Sequence, residues 1–150
     1  MLTLSRARTR AYALLLLLVA SFGVVGANAP ANAATYQSRV VTEAAHHHGQ
    51  PYKWAAAGPT RFDCSGFTLY VFSRFGKHLP HNAARQYSSV RHIARRYMKP
   101  GDLIFMRNSS GRIYHVGIYA GGGRMWHAPH SGDVVRLARI YSNSYVVGRV

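Results

Sequence analysis

Phe62-Asp63-Cys64-Ser65-Gly66-Phe67-Thr68-Leu69-Tyr70-Val71-Phe72-Ser73-Arg74-Phe75-Gly76 holds the single cysteine of the chain. Phe67, Val71 and Phe75 recur every four residues with Tyr70 beside them, one apolar face of a helix. Asp63 suits the N-cap, where a carboxylate accepts from unpaired first-turn N–H groups. Gly76 falls where a left-handed residue closes a helix. Cys64 is therefore expected at the first helical position, with the apolar face gripped by the core. There the positive end of the helix dipole favours thiolate. The Asp63 carboxylate works against it, so a second activating group is required.

The first third of the chain reads as an address. Arg6, Arg8 and Arg10 precede an apolar run from Ala11 to Gly26, and Ala-Asn-Ala follows at 27–29 and at 31–33. This is the pattern of a secretory signal peptide, and its apolar run is short for a membrane span. Pro30 is a poor residue after a cleavage site, which favours cleavage after Ala33 over Ala29. Residues 34–150 then form one domain. Of the 19 basic residues, 16 lie there against the four acids Glu43, Asp63, Asp102 and Asp133, about +12 in all. Such a charge predicts attraction to polyanions. For an exported protein these are anionic cell-wall polymers rather than nucleic acid, for which no recognition module is visible. Arg91 to Arg96 is the densest basic cluster. A lone cysteine makes no internal disulfide, so Cys64 is buried, paired between chains or reactive.

Around this helix the pattern divides in two. Val40, Val41, Ala44 and Ala45 fit a short helix ending near Gly49. His46-His47-His48 cannot converge on one ion, because consecutive helical residues point about 100° apart; no metal site is expected. Residues 50–62 form a loop carrying Tyr52 and Trp54. Asn82 caps a helix from Ala83 to about Val90, and Arg91 to Met98 continues it or loops across the surface. After the turn Lys99-Pro100-Gly101-Asp102 the pattern becomes extended. Strands are expected at Leu103–Met106, Tyr114–Tyr119, Met125–Ala128, Val134–Leu137 and Tyr145–Val150. Helices followed by a meandering antiparallel sheet give an α+β fold.

His115 and His127 flank the turn Ala120-Gly121-Gly122-Gly123. A hairpin centred on Gly121 pairs 119 with 123, 117 with 125 and 115 with 127, which sets the two imidazoles opposite each other on one face. A slip of one residue would separate them. Facing histidines beside a helix-terminal thiol suggest nucleophilic catalysis. His115 takes the thiol proton, His127 orients His115, and the N–H of Cys64, with Tyr52, stabilises an oxyanion. Taken singly, each residue also has a plain reading as a core or surface side chain.

The segments Phe62-Asp63-Cys64-Ser65-Gly66-Phe67, Lys99-Pro100-Gly101-Asp102-Leu103-Ile104-Phe105, His115-Val116-Gly117-Ile118-Tyr119 and His127-Ala128-Pro129 resemble, in order, the NlpC/p-sixty cell-wall cysteine endopeptidases. The resemblance spans about residues 40–150. It implies a papain-like α+β fold and a Cys–His–His triad of Cys64, His115 and His127. Tyr52 matches a tyrosine near the oxyanion site, and Asp63 and Ser65 match residues lining the substrate-amine side. The implied reaction is hydrolysis of peptidoglycan stem peptides, commonly between D-γ-glutamyl and meso-diaminopimelate, by a monomer without a cofactor. The alternatives are a non-catalytic peptidoglycan-binding module, or an amidase or acyl transferase on the same fold. Three sites, five residues in all, depart from the family pattern. Ala55-Ala56 stands for Gly-Gly, Tyr114 for a small residue, and His81-Asn82 for Arg-Thr.

Overall fold

A computed structural model describes residues 35–150. The signal peptide expected over 1–33, with its cleavage site, lies outside the described residues. Three helices, α1 (Tyr36–His46), α2 (Cys64–Ser73) and α3 (Ala83–Ser89), pack with six strands, β1 (Arg91–Ile93), β2 (Leu103–Arg107), β3 (Ile113–Gly121), β4 (Arg124–His127), β5 (Arg136–Arg139) and β6 (Tyr145–Arg149). All neighbouring strands are antiparallel, in the order β1-β6-β2-β3-β4-β5.

The helix caps follow from local chemistry. Asp63 Oδ1 accepts from the N–H of Gly66 at 2.7 Å, and Asn82 Oδ1 accepts from the N–H of Arg85 at 3.0 Å. Gly76 has φ of +70°, and the N–H of Lys77 reaches back to the carbonyl of Phe72 at 3.1 Å. Helix α2 stops at Ser73, so Phe75 packs from the turn beyond it. Its buried surface is wide: Ser65, Gly66, Phe67, Thr68, Val71 and Phe72 are all enclosed. Phe67 and Val71 meet Val40 of α1 and Leu103, Phe105, Val116 and Ile118 of the sheet in one core.

Strand β2 is central and covered on both faces. Leu103 and Phe105 join the helical core, while Ile104 and Met106 join Met125 and Val147 in a second, smaller one. That is why its sequence is continuously apolar rather than alternating.

Three expectations are corrected. The meander holds only from β2 to β5, and β6 crosses back to pair with β2 on its other side. Residues 91–93 neither extend α3 nor loop: they form β1, paired with β6. Strand β5 begins at Arg136 rather than Val134. The basic cluster is also partly tied down, since Arg95 bonds the carbonyls of Asn143 and Tyr145 and stacks on the Tyr145 ring at 3.9 Å.

The three consecutive histidines diverge. His47 is buried against Phe62, Phe67 and Tyr70 and bonds Gln50 at 2.9 Å, whereas His46 and His48 are exposed.

Candidate active site

Cys64 opens α2, and two features hold the helix start in place. The N–H of Asp63 donates to the carbonyl of Ala56 at 2.8 Å. A Cβ on Gly66 would collide with that same oxygen, so only glycine lets the helix approach the loop this closely. Asp63 does more than cap. It also accepts from the N–H of Ala55 at 3.0 Å and the hydroxyl of Ser65 at 3.2 Å, and both its oxygens lie 2.9 Å from Nε2 of His81. This one buried carboxylate thereby joins the 50–62 loop, the start of α2 and the entry to α3. The loop is fixed at its other end too. The N–H of Tyr52 donates to the carbonyl of Asp133, and that of Lys53 to Phe62, both at 2.9 Å.

The histidines come from the β3–β4 hairpin, in a register two residues away from the expected one. Gly122 and Gly123, both with positive φ, form the turn, and a bulge follows Tyr119. Ile118 pairs with Trp126 and Tyr119 with Met125, which sets Gly117 opposite His127. His115 and His127 are therefore diagonal neighbours. An even shift keeps both on one face, and Nε2 of His115 lies 2.8 Å from Nδ1 of His127. Both rings are buried, and Nε2 of His127 has no hydrogen-bond partner among the described residues.

Two cavities meet at Cys64. One of about 250 Å³ is lined by Asp63, Ser65, His81 and Ala55. The other, about 610 Å³, is lined by Tyr52, His115, His127, His130, Arg136, Arg139 and Tyr141. Trp54, Cys64 and Tyr114 line both. The residues singled out from the sequence thus divide between them: Tyr52, His115 and His127 on one side of the thiol, Asp63 and Ser65 on the other.

Electrostatics at the site oppose free charge. Burial pushes the Cys64 thiol up from its ordinary value and the Asp63 carboxylate adds to this. The N–H groups of Val116, Ser65 and Cys64 pull it partly back. Burial likewise lowers His115 to about 3, with His127 and His130 contributing. It lowers His127 to about 4, where Arg136 contributes and Asp133 opposes. Burial thus works against the thiolate that the helix dipole alone favours, and equally against an imidazolium on either ring.

Several neighbours of the thiol escaped the sequence reading. His81 partners Asp63 from across a loop. Tyr141 lines the larger cavity, and its hydroxyl pKa is pushed up by burial, by Tyr114 and by Cys64. Arg136 and Arg139 come from an edge strand. Among the described residues, Trp54, Tyr114 and Tyr141 are three of the five large apolar side chains left exposed, and all three rim the cleft. Exposed aromatics in a loop-flanked strand pattern were the one available signal.

Helices on an antiparallel sheet, with a cysteine at a helix start beside paired strand histidines, define a papain-like α+β domain. The NlpC/P60 family model matches residues 49–148, and the chain belongs to that family. The chain is 46% identical over 114 residues to "Probable endopeptidase p60" of Listeria grayi, covering 74% of this chain and 22% of that protein. It is 33% identical over 108 residues to the "Gamma-D-glutamyl-L-lysine dipeptidyl-peptidase" of Bacillus subtilis, covering 71% and 36% respectively. The crystal structure of the NlpC/p60 domain of the peptidoglycan hydrolase SagA superposes with a TM-score of 0.70 at 34% identity, covering 77% of this chain and all of that one. The chain thus spans about a fifth to a third of the length of the curated relatives it matches.

Proposed function

We propose that this domain is a secreted cysteine endopeptidase that hydrolyses peptidoglycan stem peptides, at the bond between D-γ-glutamyl and meso-diaminopimelate. The observation that carries this reading is the His115–His127 contact of 2.8 Å in the cavity that Cys64 also lines. Relatives named endopeptidase and dipeptidyl-peptidase support a peptide bond as the target. The leader over residues 1–33 would deliver the domain to the cell wall. Its basic charge would retain it on anionic polymers, with sacculus binding that weakens as salt rises.

Cys64 is the nucleophile and His115 the base. With Nδ1 of His127 accepting, His115 carries its resting proton on Nε2 and its Nδ1 is left to take the thiol proton. Because burial opposes each charge alone, thiolate and imidazolium form together, as the sulfur attacks the carbonyl. The amide of Cys64 and the Tyr52 hydroxyl stabilise the oxyanion. His115 then returns the proton to the departing amine, leaving a thioester at Cys64. Water, deprotonated by His115, hydrolyses that thioester and frees the thiol. His127 holds the ring of His115 through both halves.

Defined muropeptides incubated with the domain and read by mass test the proposal. Wild type is expected to release the fragment beginning at diaminopimelate, and Cys64→Ala is expected to release none while keeping its fold. Equal digestion by Cys64→Ala would refute the mechanism.

A further inference from the structure

The two cavities differ in charge, and the chemistry of the proposed peptidase reaction, on which this inference rests, assigns them different halves of a substrate. The group that takes the proton from the nucleophile later hands it to the departing amine. The amine-bearing fragment must therefore leave on the side of that group. His115 lines only the larger cavity. The larger cavity takes the leaving fragment, and the smaller, with Asp63 and Ser65, takes the acyl fragment, so a substrate amine meeting those two residues is one carried by the acyl fragment and not the scissile amine.

The leaving side is basic. Arg136 and Arg139 line it with His130, and the acid nearby is Asp133. Asp133 lies 2.9 Å from Nη2 of Arg136 and 3.8 Å from Nε2 of His130. Arg139 makes no ion pair among the described residues. Two permanent positive charges thus line this cavity near one carboxylate, and Arg136 opposes protonation of His127. Arg136 is paired in register with His127, one strand away from the reacting histidines. An anion held there belongs to the residue that supplies the scissile amine, or to the one after it, given a strand spacing of about 4.8 Å. The planar fork of a guanidinium matches a carboxylate in two bonds. Tyr114 and Tyr141 line the same space.

We propose that Arg136 and Arg139 form a carboxylate subsite for the leaving fragment. The domain then prefers stem peptides whose residue after the scissile bond carries a free side-chain carboxylate over those in which that carboxylate is amidated.

The test uses two tripeptides, L-alanyl-γ-D-glutamyl-meso-diaminopimelate and the same peptide with the side-chain carboxylate of the diamino acid amidated. Turnover is measured with wild type, and binding by calorimetry with Cys64→Ala. The acid is expected to be favoured about tenfold or more in both, with the preference shrinking at high salt. Arg139→Gln, which breaks no ion pair among the described residues, is expected to reduce the acid-to-amide ratio several-fold. Adding Arg136→Gln should bring the ratio near one. Equal binding of acid and amide by Cys64→Ala, or a ratio unmoved in the double variant, would overturn the subsite. Absence of turnover by wild type alongside a binding preference for the acid would overturn the peptidase reading and leave the subsite standing.

Discussion

His127 stands opposite Gly117, and it reaches His115 along the diagonal of the hairpin rather than straight across it. The missing side chain at 117 is what makes this approach possible. A Cβ there would lie 2.9 Å from the carbonyl oxygen of Trp126, 3.0 Å from Sδ of Met125 and 3.2 Å from Cβ of His127. Gly117→Ala would push β4 away from β3 and lengthen the contact between the imidazoles. Cleavage of muropeptide is expected to fall by roughly 100-fold in kcat/KM, since small misplacements of reacting groups are that costly. Thermal melting should show the fold retained at a reduced midpoint. Full activity in this variant would mean that the diagonal contact is dispensable.

Ala55 occupies a left-handed conformation, with φ of +59°, while its N–H donates to Asp63. An L-residue with a Cβ pays about 1–2 kcal/mol there, and glycine does not. Part of that gain is offset by the greater freedom of glycine in the unfolded chain. Ala55→Gly is expected to stabilise the domain by up to about 1 kcal/mol in urea unfolding. Gly66→Ala should do the opposite, by about 3 kcal/mol or more, because the new Cβ meets the backbone of Ala56 rather than a side chain that can swing away.

What could be read from the sequence divides along the range of the interactions. The caps at Asp63 and Asn82 and the left-handed Gly76 were legible because each depends on a few neighbouring residues. The pairing of His115 with His127 was legible in kind and misplaced in register. Gly121, Gly122 and Gly123 all tolerate positive φ, so composition cannot choose the turn centre. The error was an even number of residues, which preserved the face. Strand β1 was not legible. Arg91, His92 and Ile93 carry no strand pattern of their own and become extended only because β6, distant in sequence, supplies their partner. The ion pair of Arg149 with buried Asp102, at 2.6 Å, and the hydrogen bond between His81 and Asp63 are long-range contacts of the same kind.

The buried histidines make the domain sensitive to acid. His115 is lowered to about 3 and His127 to about 4, both below the ordinary histidine value that the unfolded chain regains. Between pH 6.5 and about 3 the unfolded state therefore binds more protons than the folded one. Stability is fully present above pH 6.5 and is lost as pH falls through that window. By pH 4 the loss is expected to amount to several kcal/mol, because each histidine that stays neutral only in the folded state costs about 1.4 kcal/mol for every pH unit below its ordinary value. Urea midpoints measured from pH 7 to pH 4 check this. Replacing both residues with Gln should flatten the profile, and an unchanged slope would show that other groups control it.

The Asp63–His81 pair links stability to the reactivity of the thiol. Asp63 is 6% exposed and raises the Cys64 pKa, so whatever sits against its carboxylate adjusts the thiol. His81→Ala leaves that carboxylate buried with its N–H donors but without the imidazole. The expected cost is about 1–2 kcal/mol, less than for a fully buried pair because the His81 side chain is 31% exposed. His81→Arg places a permanent charge at the same position, which offsets the field of Asp63 at the sulfur. Alkylation of Cys64 by iodoacetamide, followed against pH, reads the result directly. His81→Arg is expected to move the thiol titration down from the wild-type value. Neutralising the carboxylate itself should move it the same way in Asp63→Asn, which keeps an oxygen for the cap. If titration in both variants coincides with wild type, Asp63 does not act on the thiol, and its role is confined to joining the loop to the helix.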